Sequence, residues 1–262
     1  MRRRVWNIGI ASAVFGLSSR TAWAAQLTAE QVRERLAAAT PQKPADLSDL
    51  DLSDLDLSRL DFRQARLVNT SLFASKLVLS KFNGADLTRA NLNGAWLMGT
   101  DFSGAKLVGS SLLSVVVLGG EVKTPPSFAG ADLSGARIIA DFPGANLRGA
   151  KLVKTNLGVN IKNQGMGQMR TDLSGADLSD ADLEGADLNR SLMSFAKLAG
   201  ANLRGVNFFN AKMAGADLRG ADVTGADFTD AVLDDIVLTG AKGLDSAKGL
   251  DSAKGLGSAG KR

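Results

Sequence analysis

From Ala45 onward the sequence advances in steps of five, and that period excludes most folds. Consecutive phrases read ADLSD, LDLSD, LDLSR, LDFRQ and ARLVN. With the third residue of each taken as its centre, fifteen centres run from Leu47 to Val117 without a slip, every one Leu, Phe or Val. Fourteen more run from Leu173 to Leu238, with Met193, Met213 and Val223 as variants. The residue two before the centre is mostly Ala, the one before it is often Asp or Asn, and the last is often Gly. An amphipathic helix repeats its apolar residues about every 3.6 positions and a half-buried strand every second one. A period of five fits neither. Such a unit cannot bury its apolar side alone and is stable only when stacked on its neighbours.

Long arrays of A-(D/N)-L-x-x are the signature of the pentapeptide-repeat family, and over residues 45–240 the chain closely resembles it. The resemblance implies an all-β fold, a right-handed parallel β-helix of quadrilateral cross-section. Four repeats would make one coil, with the centre and the residue two before it pointing inward. The sequence supports four repeats per coil on its own. Phe62, Phe82 and Phe102 are spaced by 20, as are Phe208 and Phe228, and Met193 and Met213. Large side chains in a narrow core pack best above one another. Outer positions alternate in charge at the same step: Asp46, Arg66, Asp86, Lys106, and again Asp177, Lys197, Asp217. Opposite charges on adjacent strands attract.

Two breaks interrupt the track. Pro125 to Gly130 reads as a six-residue unit, and a four-residue unit ends at Ile139. The two cancel, which predicts an intact coil with Val122 between Phe102 and Phe142. The second break, Gln164 to Arg170, predicts a small loop. With the irregular units counted, about 39 repeats make nearly ten coils, roughly 45 Å long.

The ends carry their own signals. Thr28 to Ala39 reads as a capping helix: Thr28 and Gln31 form a capping box and Pro41 stops it. Val32 and Leu36 share the face that would seat on the first coil. The predicted organisation is therefore a signal peptide over 1–24, a capping helix and Pro-containing linker over 25–44, the β-helix over 45–240, and a low-complexity tail over 241–262. That tail, AKGLDS-AKGLDS-AKGLGS to residue 258, has a period of six. It is expected to leave the five-residue track, with Leu244 closing the last coil and the rest flexible.

Arg2, Arg3 and Arg4, an apolar run from Val5 to Leu17 and the small-x-small site Ala22-Trp23-Ala24 form a bacterial-type secretory signal, cleaved between Ala24 and Ala25. The route is either the general secretory or the twin-arginine one. The apolar run is well short of the ~20 residues that span a bilayer. A periplasmic or secreted protein, with no membrane span after cleavage, is expected. Cleavage also removes the apparent basicity. Of 31 basic residues, residues 1–24 hold four and no acid, which leaves 27 basic against 27 acidic groups. Nucleic acid is therefore not an expected partner.

Composition narrows the chemistry further. The chain has no His and no Cys, which removes His-based triads, Cys nucleophiles and ordinary zinc sites. Asp177, Asp182 and Asp187 look clustered in print, but in a four-sided coil they fall on different faces and cannot share a metal or act as an acid/base pair. No catalytic, cofactor or metal site is expected, and the chain does not read as an enzyme. The leading reading is an exported, non-catalytic structural or protein-binding solenoid. The alternative follows from the resemblance: some pentapeptide-repeat proteins are acidic DNA mimics that bind type II topoisomerases and protect them from quinolones. The stretch 171–240, with 12 acidic and 5 basic residues, favours it; the signal and the balanced charge oppose it.

The local clue to a partner is an apolar column. On the face with centres Leu57, Leu77, Leu97, Val117 and Ile138, the residues Val78, Leu79, Trp96, Met98, Val116, Leu118 and Ile139 are all expected to point outward. Phe73 and Leu113 would lie on the adjoining face. Such a patch marks an interface with another protein or a second copy, or else a seat for the protein's own chain. Trp96 is its natural anchor.

Overall fold

A computed structural model describes residues 27–117, 121–159 and 170–255. Each repeat contributes a one-residue parallel bridge to the next coil, and the bridges fall into four columns. We name the faces by these columns. The first starts Asp46↔Arg66↔Asp86, the second Asp51↔Ser71↔Asn91, the third Asp56↔Lys76↔Trp96, and the fourth Asp61↔Lys81↔Asp101. One coil is thus 20 residues, as the Phe spacing predicts. Two N–H groups per unit hold neighbouring coils at each bridge; Asp86 N donates to Ala65 O at 2.9 Å and Leu67 N to Asp86 O at 2.7 Å.

The repeat follows from these constraints. The centre fills the core, where Phe62, Leu67, Phe82 and their equivalents are fully buried. The small residue two before it also points in. Thr70, Ser80 and Thr100 take that slot, and each donates its hydroxyl at 2.8 Å to a carbonyl of the preceding coil (Leu47, Leu57, Leu77). The Asp or Asn before the centre accepts from the N–H two residues on, as Asp46 does from Ser48 and Asp177 from Ser179, both at 3.0 Å. That bond makes an Asx-turn, and it explains why short acids and amides recur there. The last residue sits in the left-handed region, with φ of 66° at Gly104 and 61° at Asp54, which favours Gly and admits Asp and Asn.

The Phe ladder is continuous but differs from expectation at the first break. Phe62–Phe82 and Phe82–Phe102 stack at 4.5 and 5.0 Å, and Phe128, not Val122, continues the ladder at 5.1 Å from Phe102. Val122 is half-buried at the edge. Eleven residues rather than five separate Val117 from Phe128, so the excess chain leaves the coil at the corner between the third and fourth faces. Phe142 then belongs to the third face, through Asp141↔Asp172, and meets Phe128 edge-on at 5.4 Å and 69°. The only extended pairs among the described residues lie just before this corner, where β1 (Ser111–Leu113) pairs in parallel with β2 (Arg137–Ile139). The second predicted break falls mostly on residues outside the described ones; the ladder resumes at Thr171 and Asp172.

Both ends of the core are covered by large side chains. Helix α1 (Ala29–Ala37) begins with the reciprocal Thr28–Gln31 capping box. Its Val32 is fully buried in the core cluster and Leu36 packs against it. Only in the first coil is the small inward slot filled by Leu, at Leu50, Leu55 and Leu60, and these too pack at the edge of the core. At the other end the six-residue units do not leave the ladder, contrary to expectation. Lys242, Lys248 and Lys254 bridge Asp222, Asp227 and Val232, and Leu244 and Leu250 pack against the last coil. The extra residue is taken up by a short turn, Leu244–Ser246 in the first unit, after a left-handed Gly243 with φ 76°. A Cβ on Gly249, which has φ 75°, would overlap the backbone of Thr229.

Candidate binding face

The third face carries Trp96, the anchor named from the sequence. Trp96 N donates to Ser75 O and Trp96 O accepts from Leu77 N, both at 2.9 Å, so its backbone is clamped between coils. Its side chain projects outward and is 41% exposed. Lys76, one coil earlier, places Nζ 5.8 Å from the ring centroid, a cation–π contact. Val116 follows on the next coil and is half-buried, as are Val78 and Leu79.

Two of the seven predicted patch residues, Met98 and Ile139, do not join them. Met98 is 4% exposed. It lies beside the corner where the extra chain returns: Thr124 O accepts from Gly99 N at 2.7 Å, and Leu79 and Val122 both lean against Gly99. Ile139 is 5% exposed and sits on the second face, paired with Leu113. The register slips because Ile138 stacks on Leu112 rather than Val117. Ile139 is buried there, but outside the core cluster that holds Ile138 and Ala140. Leu118 lies outside the described residues, as do the signal peptide and its cleavage site. Phe73, on the second face as predicted, is 48% exposed.

The same column in the C-terminal half carries apolar groups that were not predicted. Leu192 and Val232 occupy third-face rungs and are half-buried, and Phe195, at the following corner, is 70% exposed. The 20-residue rule applied to Leu192, Lys212 and Val232 would have found the first two. Phe195 stands where Gly or Asp is usual, at φ 59°, and the bare Gly215 on the next coil makes room for its ring.

The acids behave as turn formers. Asp177, Asp182 and Asp187 lie on the fourth, first and second faces. Hydrogen bonds from Ser58 and Thr229 hold Asp56 and Asp227 below the usual carboxylate range. Those from Thr224, with help from Arg204, hold Asp222 down to about 2. Asp141 is the exception. Its burial, and then Asp172 on the next rung, push its carboxyl up. The position that would supply its turn N–H is Pro143, which has none. Among the described residues no three acidic groups converge to hold a metal ion, and no helix is long and apolar enough to cross a membrane. An open cleft of about 550 Å³ lies between the segment after α1 and the first coils, but its Arg63 is already tied to Asp61.

These features define a parallel β-solenoid wound from five-residue units, with solvated acids at its corners and an apolar strip on one side. The pentapeptide-repeat family model matches in overlapping copies over residues 65–104, 75–112, 171–210 and 186–225, and the chain belongs to that family. Among solved structures it is similar to HetL, a pentapeptide-repeat protein involved in heterocyst differentiation regulation from the cyanobacterium Nostoc sp. strain PCC 7120. The identity is 30%, over 87% of this chain and 97% of that one, with a TM-score of 0.40. It is also similar to QnrB1, a plasmid-mediated fluoroquinolone resistance protein, at 19% identity over 68% and 90% of the two chains, with a TM-score of 0.39. A pentapeptide-repeat protein of the Arabidopsis thaliana thylakoid lumen matches at 23% identity over 72% and 69%, with a TM-score of 0.16. No curated protein matches the chain.

Proposed function

We propose that this chain is an exported, non-catalytic protein-binding solenoid, a right-handed quadrilateral β-helix capped by α1, whose third face receives a protein partner around Trp96. The observation that carries the reading is Trp96 itself: a large apolar ring, held outward on a clamped backbone, with Val116 on the next rung of the same face. Side chains on a solenoid face are fixed at the coil spacing, so a partner meets a pre-ordered surface and little ordering entropy opposes binding. Family membership supports a binding or structural role rather than a catalytic one. Export rests on the sequence of residues 1–24, with cleavage between Ala24 and Ala25 and residence in the periplasm or outside the cell.

Two experiments test this. Fractionation with N-terminal sequencing should find the protein in the periplasm or medium starting at Ala25; an unprocessed cytoplasmic chain would contradict export. Trp96→Asp should leave the melting temperature nearly unchanged and weaken association with the partner. The acidic coils of 171–240 favour one second reading, topoisomerase binding by DNA mimicry. Protection of purified gyrase from a quinolone would support it over the first.

A further inference from the structure

The four faces present different surfaces to a second molecule. On the first, Asp46, Arg66, Asp86 and Lys106 bridge in alternating sign, and Arg66 pairs with Asp46 at 3.7 Å, so its charges are answered within the chain. The third face is organised otherwise. Its ten rungs open with Asp56, Lys76, Trp96 and Val116 and close with Leu192, Lys212, Val232 and Lys254. Asp141 and Asp172 stand in the middle. An acid begins the series, a base ends it, and apolar rungs flank the centre on both sides.

We propose that the third face is the contact between two copies of this chain, laid antiparallel about a two-fold axis between the Asp141 and Asp172 rungs. The inference rests on the reading of this face as a binding surface and names its occupant. In that arrangement the first rung meets the tenth and the third meets the eighth. Asp56 faces Lys254 of the second copy, Trp96 faces Lys212, and Val116 faces Leu192, each pair occurring twice by symmetry. Trp96 already meets one cation, Lys76, and its ring stays 41% exposed for the approach of a second. Phe195, 70% exposed beside Leu192, extends the apolar contact toward Val116 and Trp96 of the other copy. A parallel arrangement would set Asp56 against Asp56 and Lys76 against Lys76, so the charges select the antiparallel one.

The centre of this contact is unfavourable. It opposes Asp141 and Asp172 to Asp172 and Asp141 of the second copy, four carboxylates in one place. The strip is about 43 Å long and one side of the coil wide, so it buries roughly 1,000 Å² in total, the lower limit for a specific interface. A weak, concentration-dependent dimer follows from both facts.

Cysteine cross-linking tests the register, because the chain has no Cys of its own. Within one molecule, positions 116 and 192 are three rungs apart, about 14 Å, beyond the roughly 7 Å that a disulfide tolerates. The full chain carrying both Val116→Cys and Leu192→Cys should therefore form a covalent dimer under mild oxidation, while either single variant should not. No covalent dimer, or equal cross-linking of the single variants, would overturn the arrangement. Sedimentation equilibrium gives a second readout that needs no cysteine. Asp141→Asn should tighten self-association several-fold, and Trp96→Asp should weaken it about tenfold or more. A wild-type chain that stays monomeric at all concentrations refutes the dimer. If Trp96→Asp nevertheless loses a periplasmic partner, the binding-face reading stands without the dimer. If Trp96→Asp melts far below wild type, the ring is structural and both fall.

Discussion

Replacing Phe82 by Ala tests the stacked core where the structure is most regular. The Phe82 ring lies 4.5 Å from Phe62, nearly parallel at 3°, and 5.0 Å from Phe102. Truncating a buried Phe to Ala costs about 3–5 kcal/mol, the larger values belonging to sites that cannot collapse around the cavity. Here collapse is blocked, because the coils above and below are held at strand spacing by main-chain bonds such as Phe82 N to Asp101 O at 2.7 Å. Two aromatic contacts are lost as well, which places the expected loss at about 4–5 kcal/mol. Arg89→Ala is the control. Arg89 is exposed and bonds only Asn69 Oδ1, at 2.7 Å, so its loss should cost about 0.5 kcal/mol. Urea unfolding of the processed chain can be followed by Trp96, the single Trp after Ala25 and in the same coil as Phe102. Equal midpoints for the two variants, or a Phe82→Ala loss below about 1 kcal/mol, would refute the ladder as a stabilising element.

Other perturbations follow from single positions. Gly249→Ala should destabilise the C-terminal coil by roughly 1–3 kcal/mol, seen as faster hydrogen exchange over 241–255, because its φ is positive and its Cβ would overlap Thr229. Ser110→Ala should be neutral or stabilise by up to about 1 kcal/mol in the same urea assay, since the buried Ser110 hydroxyl has no partner. Asp222, held at about 2 against 3.8, contributes stability that is present above pH 3.8 and lost as the pH falls through 2; Asp222→Asn should flatten the acid limb of the melting-temperature profile. Asp141 has the opposite sign. Its raised carboxyl favours the fold below pH 3.8, and that contribution is lost as the pH rises through its folded value. Pro143→Ser, which restores the turn N–H, should lower its titration midpoint by NMR.

The coil length was legible because one residue type dominates the centre. A slip of one position would move Leu and Phe from the core to solvent, so the register is strongly specified wherever the units keep five residues. It became ambiguous where unit length changes. Both Val122 and Phe128 are apolar and either could follow Phe102 in print; stacking of the larger ring selects Phe128, and the surplus chain is expelled at the corner. The place of Ile139 differs for the same reason: with no rung at Val122, every later unit falls one face earlier than the spacing implies. The six-residue tail was misjudged because its centre is Gly rather than Leu. Bridging needs only the backbone at Lys242, Lys248 and Lys254, and the added residue can be stored in a turn. On the candidate face, Trp96 could be read because 20-residue stacking fixes its direction. Phe195 could not, because it stands alone in a corner slot where Gly or Asp is usual, with Gly175 and Gly215 one coil to either side.

The most direct test of the account compares two baits, the wild-type processed chain and Trp96→Asp, in the same periplasmic extract, with the retained protein quantified and both melting temperatures measured. The account predicts a specific protein held by the wild type and lost with Trp96→Asp at an unchanged melting temperature. Equal retention by both baits, or a Trp96→Asp chain that no longer folds, would contradict it.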